Sequence, residues 1–318
     1  RECKLASTLR TRRIQEAALD MELAENRVVL DAEGRAVGVK RSQYDESHQL
    51  IEEFMLAANE AVARETKNDS VPSIYRIHED PDPAKLEELA DLARSFGHRV
   101  GDVTYRPELQ KLLSGIRGKL EEHSVKLALL KSLRRAAYSK DPLGHYGLSK
   151  ANYTHFTSPI RRYADLVVHR VLRKILTRRH EDTAPEMADK TPVVQEMSSI
   201  AQHISRTERI AADAEKETQQ LKLIEYLERV CEEDPTHTFV ATITDVRAIG
   251  VFVELNEFLV KGLVRREDLP QQDGFVFDRA RKQYKSRSSR FTLTLGEQVE
   301  VRLRRVDRIR GFVDFVMI

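Results

Sequence analysis

The sequence predicts an α+β protein in two parts: a helix-rich region over residues 1–232 and a small five-stranded β-barrel of the OB type over residues 233–318. Three observations carry this. Apolar residues recur at helical spacing through most of residues 48–231. From Thr238 the period changes to two, in short runs separated by turn residues. Between the two regimes lies Glu232-Glu-Asp-Pro235, an acidic stretch closed by a proline. A length of 318 residues suits roughly two domains of about 150 residues each.

Arg27–Asp31 and Ala36–Val39 read as two short strands around an Ala32–Arg35 turn. Ile51, Phe54, Met55, Ala58 and Val62 share one face of an amphipathic helix over 48–65. Pro72 breaks that pattern, and Ile74–His78 reads as a short strand. The Glu79–Pro83 turn feeds a helix over 84–95, with Gly97 as its stop. Helices follow over 107–114 and 120–138, the second burying Val125, Leu127, Leu130, Leu133 and Ala137. Ser158 followed by Pro159 predicts a helix start, since serine caps and proline at the first helical position loses no needed N–H. That helix should reach about Thr177, with Ile160, Leu166, Val167, Val171 and Leu172 as its apolar stripe. Residues 178–191 read as a polar loop. The longest helical pattern, 192–231, has sparse apolar residues and dense charge, as expected of a half-exposed helix. The runs Thr238–Val246, Gly250–Leu255, Gly262–Val264, Gln298–Val306 and Gly311–Val316 supply the barrel strands.

Composition excludes little. A third of the residues are charged, but the net charge is only +2, so affinity for nucleic acid has to be read from local clusters. Cys3 and Cys231 have no companions at metal-ligand spacing and read as free thiols of a reducing compartment. No apolar run approaches the ~18 residues that span a bilayer, and the first residues resemble the middle of a domain rather than a secretory signal. A cytoplasmic location is the expectation.

The stretch Tyr153–Leu172 organises the rest. A helix opened by Pro159 would place Arg161 and Arg162 in its first turn, where two guanidiniums oppose the helix dipole. That arrangement calls for an anion, and arginine suits phosphate through paired hydrogen bonds. The competing reading is structural ion pairing with Asp165 or another carboxylate.

Residues Tyr153–Arg170 closely resemble the signature of the ribonuclease II / ribonuclease R family of 3′→5′ exoribonucleases, in their RNB catalytic domain. Ile51–Asn59 is similar to the family's cavity-lining helix, and Ile74–His78 with Pro81-Asp82, and His145–Leu148, fit its pattern. Residues 238–316 resemble the S1-type OB module, through Gly250–Val253, Gly262–Val264 and Val306-Asp307. The resemblance implies the C-terminal part of an RNB catalytic domain followed by an S1-type RNA-binding module. It further implies hydrolysis of single-stranded RNA to nucleoside 5′-monophosphates, with magnesium held by an aspartate cluster that belongs upstream of the matched region. Glu79, Asp80 and Asp82 are dense acids, but Pro81 and Pro83 restrict their geometry. No metal ligand is therefore assigned within the chain. The chain is expected to need a missing N-terminal part, covalent or on a separate chain, and to be inactive alone. The alternatives are a non-catalytic RNA-binding regulator derived from the same family, or a helical interaction scaffold.

By this resemblance Arg161 is the catalytic arginine, stabilising charge on the pentacovalent phosphate. Arg162, Tyr153, His155 and Thr157 are expected along the same RNA cavity, and Ser158 as a cap rather than a nucleophile. Glu52 and Glu53 are either helix-dipole partners or ligands of the RNA sugar, with Asn59 adding a backbone contact. Glu208 and Glu215 are read as a solvated helix face or as a cavity residue. His78, His145 and His169 are read as structural. In the barrel, Phe252 is either a base-stacking ring or core, and Phe277 is a further stacking candidate. Arg279, Arg281, Lys282, Lys285, Arg287 and Arg290 form a basic loop suited to single-stranded RNA.

Overall fold

The computed structural model describes residues 1–19, 26–41, 45–69, 71–119, 121–180, 194–258, 260–270, 274–279, 281–288, 291–308 and 311–318. In chain order the elements are α1 (Glu2–Gln15), β1 (Asn26–Leu30), β2 (Ala36–Arg41), α2 (Glu46–Asn68), β3 (Tyr75–Ile77), α3 (Pro83–Ser95), α4 (Arg106–Ile116), α5 (Glu122–Ser132), β4 (Ala137–Ser139), α6 (Tyr163–His180) and α7 (Val194–Glu233). The barrel strands follow as β5 (Thr238–Arg247), β6 (Gly250–Leu255), β7 (Lys261–Arg265), β11 (Gln298–Asp307) and β12 (Phe312–Met317). Between them lie β8 (Val276–Asp278), β9 (Gln283–Lys285) and β10 (Thr292–Leu293). The α+β class with its small barrel is therefore the one expected. The chain forms two compact units, one of residues 1–21, 43–115 and 128–212, the other of 22–42, 116–127 and 213–318.

In the first unit β3 pairs with β4, Tyr75 opposite Ser139 and Ile77 opposite Ala137. This pairing corrects the expected helix over 120–138. The helix stops at Ser132, and residues 137–139 turn into a strand because a backbone ladder with β3 outcompetes local helix propensity. Leu130, expected in the core, is exposed. Below the strands Ile74, Tyr138, Val167, Val171, Ile175 and Met197 close a core between β3, α6 and the start of α7. The polar loop expected over 178–191 lies mostly outside the described residues, as do the first residues of the patterns begun at 120 and 192.

Pro159 does not open the helix expected there. Residues 159–161 form a turn, and α6 begins only at Tyr163, so Arg161 and Arg162 precede the helix. The Ser158 carbonyl accepts from the N–H groups of both Arg161 and Arg162, closing the turn. Ile160, expected in the apolar stripe, is fully exposed.

In the second unit five strands close a barrel in the order β11-β12-β7-β6-β5. The β7–β12 contact is parallel, Leu263 beside Asp314, and every other pair is antiparallel. Alternate residues of β5 point inward, so Phe239, Ala241 and Ile243 are buried while Val240 is exposed. Ile224 and Leu227 of α7 join that core, with Val39 of β2 packed against it. The expected basic loop is a small sheet instead, β8 and β9 forming a hairpin with β10 on its edge. Arg290 lies outside the described residues.

Candidate active site

The 153–157 segment is held from three sides. The Arg76 N–H donates to the Tyr153 carbonyl at 2.9 Å, and the Thr154 hydroxyl donates to the Ile74 carbonyl at 2.6 Å. Asn59 of α2 accepts from the Phe156 N–H at 2.9 Å and donates to the Tyr153 hydroxyl at 3.0 Å. His169 of α6 bonds the Phe156 carbonyl at 2.9 Å and stacks on the Phe156 ring at 4.1 Å, a structural role as expected.

A cleft of about 610 Å³ opens between this segment and α2. Ile51, Glu52, Met55 and Leu56 form one wall, and Tyr153, His155 and Arg162 the other. The periodicity of α2 finds its apolar face but not what covers it. Ile51, on that face and in the segment expected along the cavity, is exposed to the cleft, whereas the polar Glu53 and Asn59 are buried. Glu53 can be buried because Arg13 of α1 meets it at 2.5 Å, a charge pair that needs its partner once desolvated. Of the two glutamates, Glu52 alone lines the cleft.

Asp165 organises the arginine turn. It is fully buried, and its Oδ1 accepts from the Ser158 N–H at 2.7 Å and from the Arg162 guanidinium at 2.9 Å. Arg162 is thus tied down where it faces the cleft. Arg161, next in the same turn, is exposed and has no ion pair among the described residues. Its charge is felt at His155. Thr157, expected along the cavity, has its hydroxyl enclosed without a hydrogen-bond partner among the described residues.

Behind the cleft lies a polar network that sequence reasoning did not find. Glu208 of α7 meets Arg76 at 2.5 Å, and the Arg76 guanidinium sits 4.7 Å over the Tyr138 ring. The Tyr138 hydroxyl contacts Nδ1 of His155 at 2.8 Å. Burial, then the Glu208 charge, pushes the Tyr138 phenol up to about 12. Burial, then the charges of Arg162 and Arg76, pushes His155 down to about 3, and burial does the same to His145. The rings of His78, His145, Tyr153, His155 and Tyr138 meet edge to face in sequence, at 5.1–6.0 Å between centroids. The signal available from sequence was the cluster of Tyr and His in separate segments, but nothing in their spacing joins Arg76, Tyr138 and Glu208.

Among the described residues no group of three or more His, Cys, Asp or Glu side chains has metal-site geometry. Of the acidic turn, Glu79 is paired with Arg134, and Asp82 caps α3 by accepting from the Ala84 N–H at 3.0 Å. These carboxylates are committed to structure and do not fit a metal cage. In the barrel unit Phe252 is half-buried under the Arg247 guanidinium at 5.1 Å, and Phe277 packs against the core. Arg281 and Lys282 are exposed on the β8–β9 turn, and Lys285 lies 3.5 Å from Asp278.

Fold and cleft together define an RNB-domain protein: the RNB domain profile matches residues 3–178, more than half of the chain, and the chain belongs to that family. It is 37% identical over 318 residues to Ribonuclease R of Thermotoga maritima, covering 99% of this chain and 44% of that protein. It is 36% identical to Ribonuclease R of Aquifex aeolicus, over 98% of this chain and 43% of that protein. Among solved structures it is similar to Mycoplasma genitalium RNase R in complex with ribose methylated single-stranded RNA. That likeness has a TM-score of 0.85 at 25% identity, over 100% of this chain and 49% of that one. The chain therefore spans less than half the length of these relatives.

Proposed function

We propose that this chain is the C-terminal portion of a 3′→5′ exoribonuclease that hydrolyses single-stranded RNA to nucleoside 5′-monophosphates. Residues 1–232 would be its part of the RNB catalytic domain and 233–318 its S1-type RNA-binding module. The observation that supports this best is the turn at residues 158–162. Asp165 takes up Arg162 and the Ser158 N–H, which leaves Arg161 exposed, one residue before the cleft-lining Arg162 and with its charge felt at His155. An arginine without a carboxylate partner has its fork of donors free for phosphate oxygens, and a fixed positive charge there opposes the charge that builds on phosphorus during hydrolysis. Along the cleft His155 and Glu52 face the RNA with Arg162. Tyr153 and Asn59 complete the wall, and Thr157 and Glu53 support it from behind. In the barrel Phe252, Arg281, Lys282 and Lys285 contact the incoming strand.

Magnesium is the cation this reading requires, held by carboxylates of polypeptide outside this sequence, and the enzyme works in the cytoplasm. The lack of a metal-holding group among the described residues also supports a second reading, a non-catalytic RNA-binding regulator of the same family. The test is to mix the 318-residue chain with labelled poly(A) in magnesium. Binding without shortening is expected, and Arg161→Ala should weaken it about tenfold, as for loss of a charge-assisted contact. Rapid degradation by the chain alone would overturn the incomplete-enzyme reading. Unaltered binding by Arg161→Ala would remove Arg161 from the site. Extending the gene upstream and finding an aspartate cluster selects the enzyme over the regulator.

A further inference from the structure

We propose that His155 serves the cleft as a neutral hydrogen-bond donor to an RNA phosphate oxygen, with its tautomer fixed from behind by Tyr138, Arg76 and Glu208. The proposal rests on the RNA reading above and adds a role that the signature motif does not assign.

Tyr138 is 8% exposed, and among the described residues its hydroxyl makes one hydrogen bond, to Nδ1 of His155 at 2.8 Å. A buried phenol that accepted a proton from Nδ1 would leave its own O–H without an acceptor, at a cost of about 1–3 kcal/mol by the general penalty for unmade buried bonds. Donation by the phenol removes that penalty. Nδ1 is then the acceptor, and a neutral imidazole must carry its proton on Nε2. The backbone reinforces the geometry. Tyr138 sits on β4, and its N–H donates to the Ser205 hydroxyl at 2.8 Å. Arg76, on the paired strand, lies over the Tyr138 ring and is held there by Glu208.

The surroundings keep the ring neutral. Burial first, then the charges of Arg162 and Arg76, with smaller contributions from His145 and Arg161, disfavour a second proton. Tyr138 and Tyr153 flank it edge to face, and Glu208 acts at one remove through Arg76 and Tyr138. Nε2 of His155, unlike that of His78, is not enclosed without a partner among the described residues, and the residue lines the cleft. A neutral donor in the cleft that Arg162 also lines adds a directional contact to phosphate without adding charge that a product would have to escape. His155 is thus a binding residue, and Tyr138, Arg76 and Glu208 are positioning residues.

The experiment uses the 318-residue chain, histidine-labelled with ¹⁵N, and single-stranded oligo(A). Long-range ¹H–¹⁵N correlation should show His155 as the Nε2–H tautomer, neutral from pH 8 to pH 5. His155→Gln, whose amide can donate from near the Nε2 position, should bind RNA within about threefold of the parent. His155→Asn, which mimics Nδ1, should bind about tenfold more weakly. Tyr138→Phe should bring in the Nδ1–H tautomer and weaken binding while leaving the chain folded by circular dichroism. A His155 that is Nδ1–H or cationic at pH 6, or His155→Asn binding like the parent, or His155→Gln failing as badly as His155→Asn, would each overturn the proposal. Failure of the parent chain to bind RNA overturns the functional reading itself. Binding that responds to Arg161→Ala but to neither His155 variant overturns this inference alone.

Discussion

At the scale of single residues, burial decides which ionisable groups matter. His145 and His155 both fall to about 3 from an ordinary 6.5, chiefly through burial. The sign follows from proton counting. Between about 3 and 6.5 the unfolded chain protonates these rings and the folded chain does not, so stability is full above 6.5 and is lost as pH falls. Each ring should cost about 2 kcal/mol by pH 5, and carboxylates with ordinary values titrate mostly below about pH 5. Urea unfolding of the chain between pH 7 and pH 5 is expected to show this loss, and His155→Gln should remove about half of it. A midpoint independent of pH over that range would show that the rings are not held neutral. Asp165 shows the converse case. Its fully buried carboxylate is tolerated because two donors meet one of its oxygens, and the same bonds engage Arg162 rather than Arg161.

Among elements, strand contacts leave the least tolerance. At Gly262 in β7 a Cβ would stand 2.3 Å from the Phe315 ring and 2.5 Å from the Val313 carbonyl of β12. The parallel β7–β12 contact closes the barrel, so the side chain has to be absent there. Gly262→Ala is expected to destabilise the barrel by about 1–3 kcal/mol, from forced displacement of Phe315 and the β12 backbone. The barrel transition in a thermal melt should drop by at least about 5 °C. An unchanged melt would mean that β12 is free to move away. The helices tell a complementary story. The 3.6-residue period located α2 well, but periodicity marks an apolar face without saying whether a core or a cleft lies against it. Ile51 therefore went to the cleft, while Glu53 and Asn59, polar and unremarkable in sequence, went inside with Arg13 and Tyr153 as partners.

For the molecule as a whole, a net charge of +2 conceals local clusters. The β8–β9 hairpin presents Arg281 and Lys282 to solvent, with Lys282 in the left-handed region at φ 47°. If these cations and Lys285 meet RNA phosphates, each contributes counterion release on binding. Replacing all three with glutamine should lower the salt slope of single-strand binding by about 2, at roughly 0.7 per phosphate contact. Fluorescence anisotropy with oligo(A) from 50 to 300 mM salt measures it. An unchanged slope would take the hairpin out of the RNA path. No helix among the described residues is long and apolar enough to cross a membrane.

The sequence by itself determined the class, the five barrel strands, the long helices and the Ser-Pro-Ile-Arg-Arg motif, because these depend on local period and on residues adjacent in the chain. Tertiary structure decided the rest. The strand at 137–139 exists because β3 lies beside it, and the helix start moved from Pro159 to Tyr163 as Asp165 bonded back to the Ser158 N–H. The line from Glu208 through Arg76 and Tyr138 to His155 joins residues from four separate stretches of chain. Buried hydrogen bonds and ion pairs form between groups that only folding brings within 3 Å, and one-dimensional spacing carries no record of them.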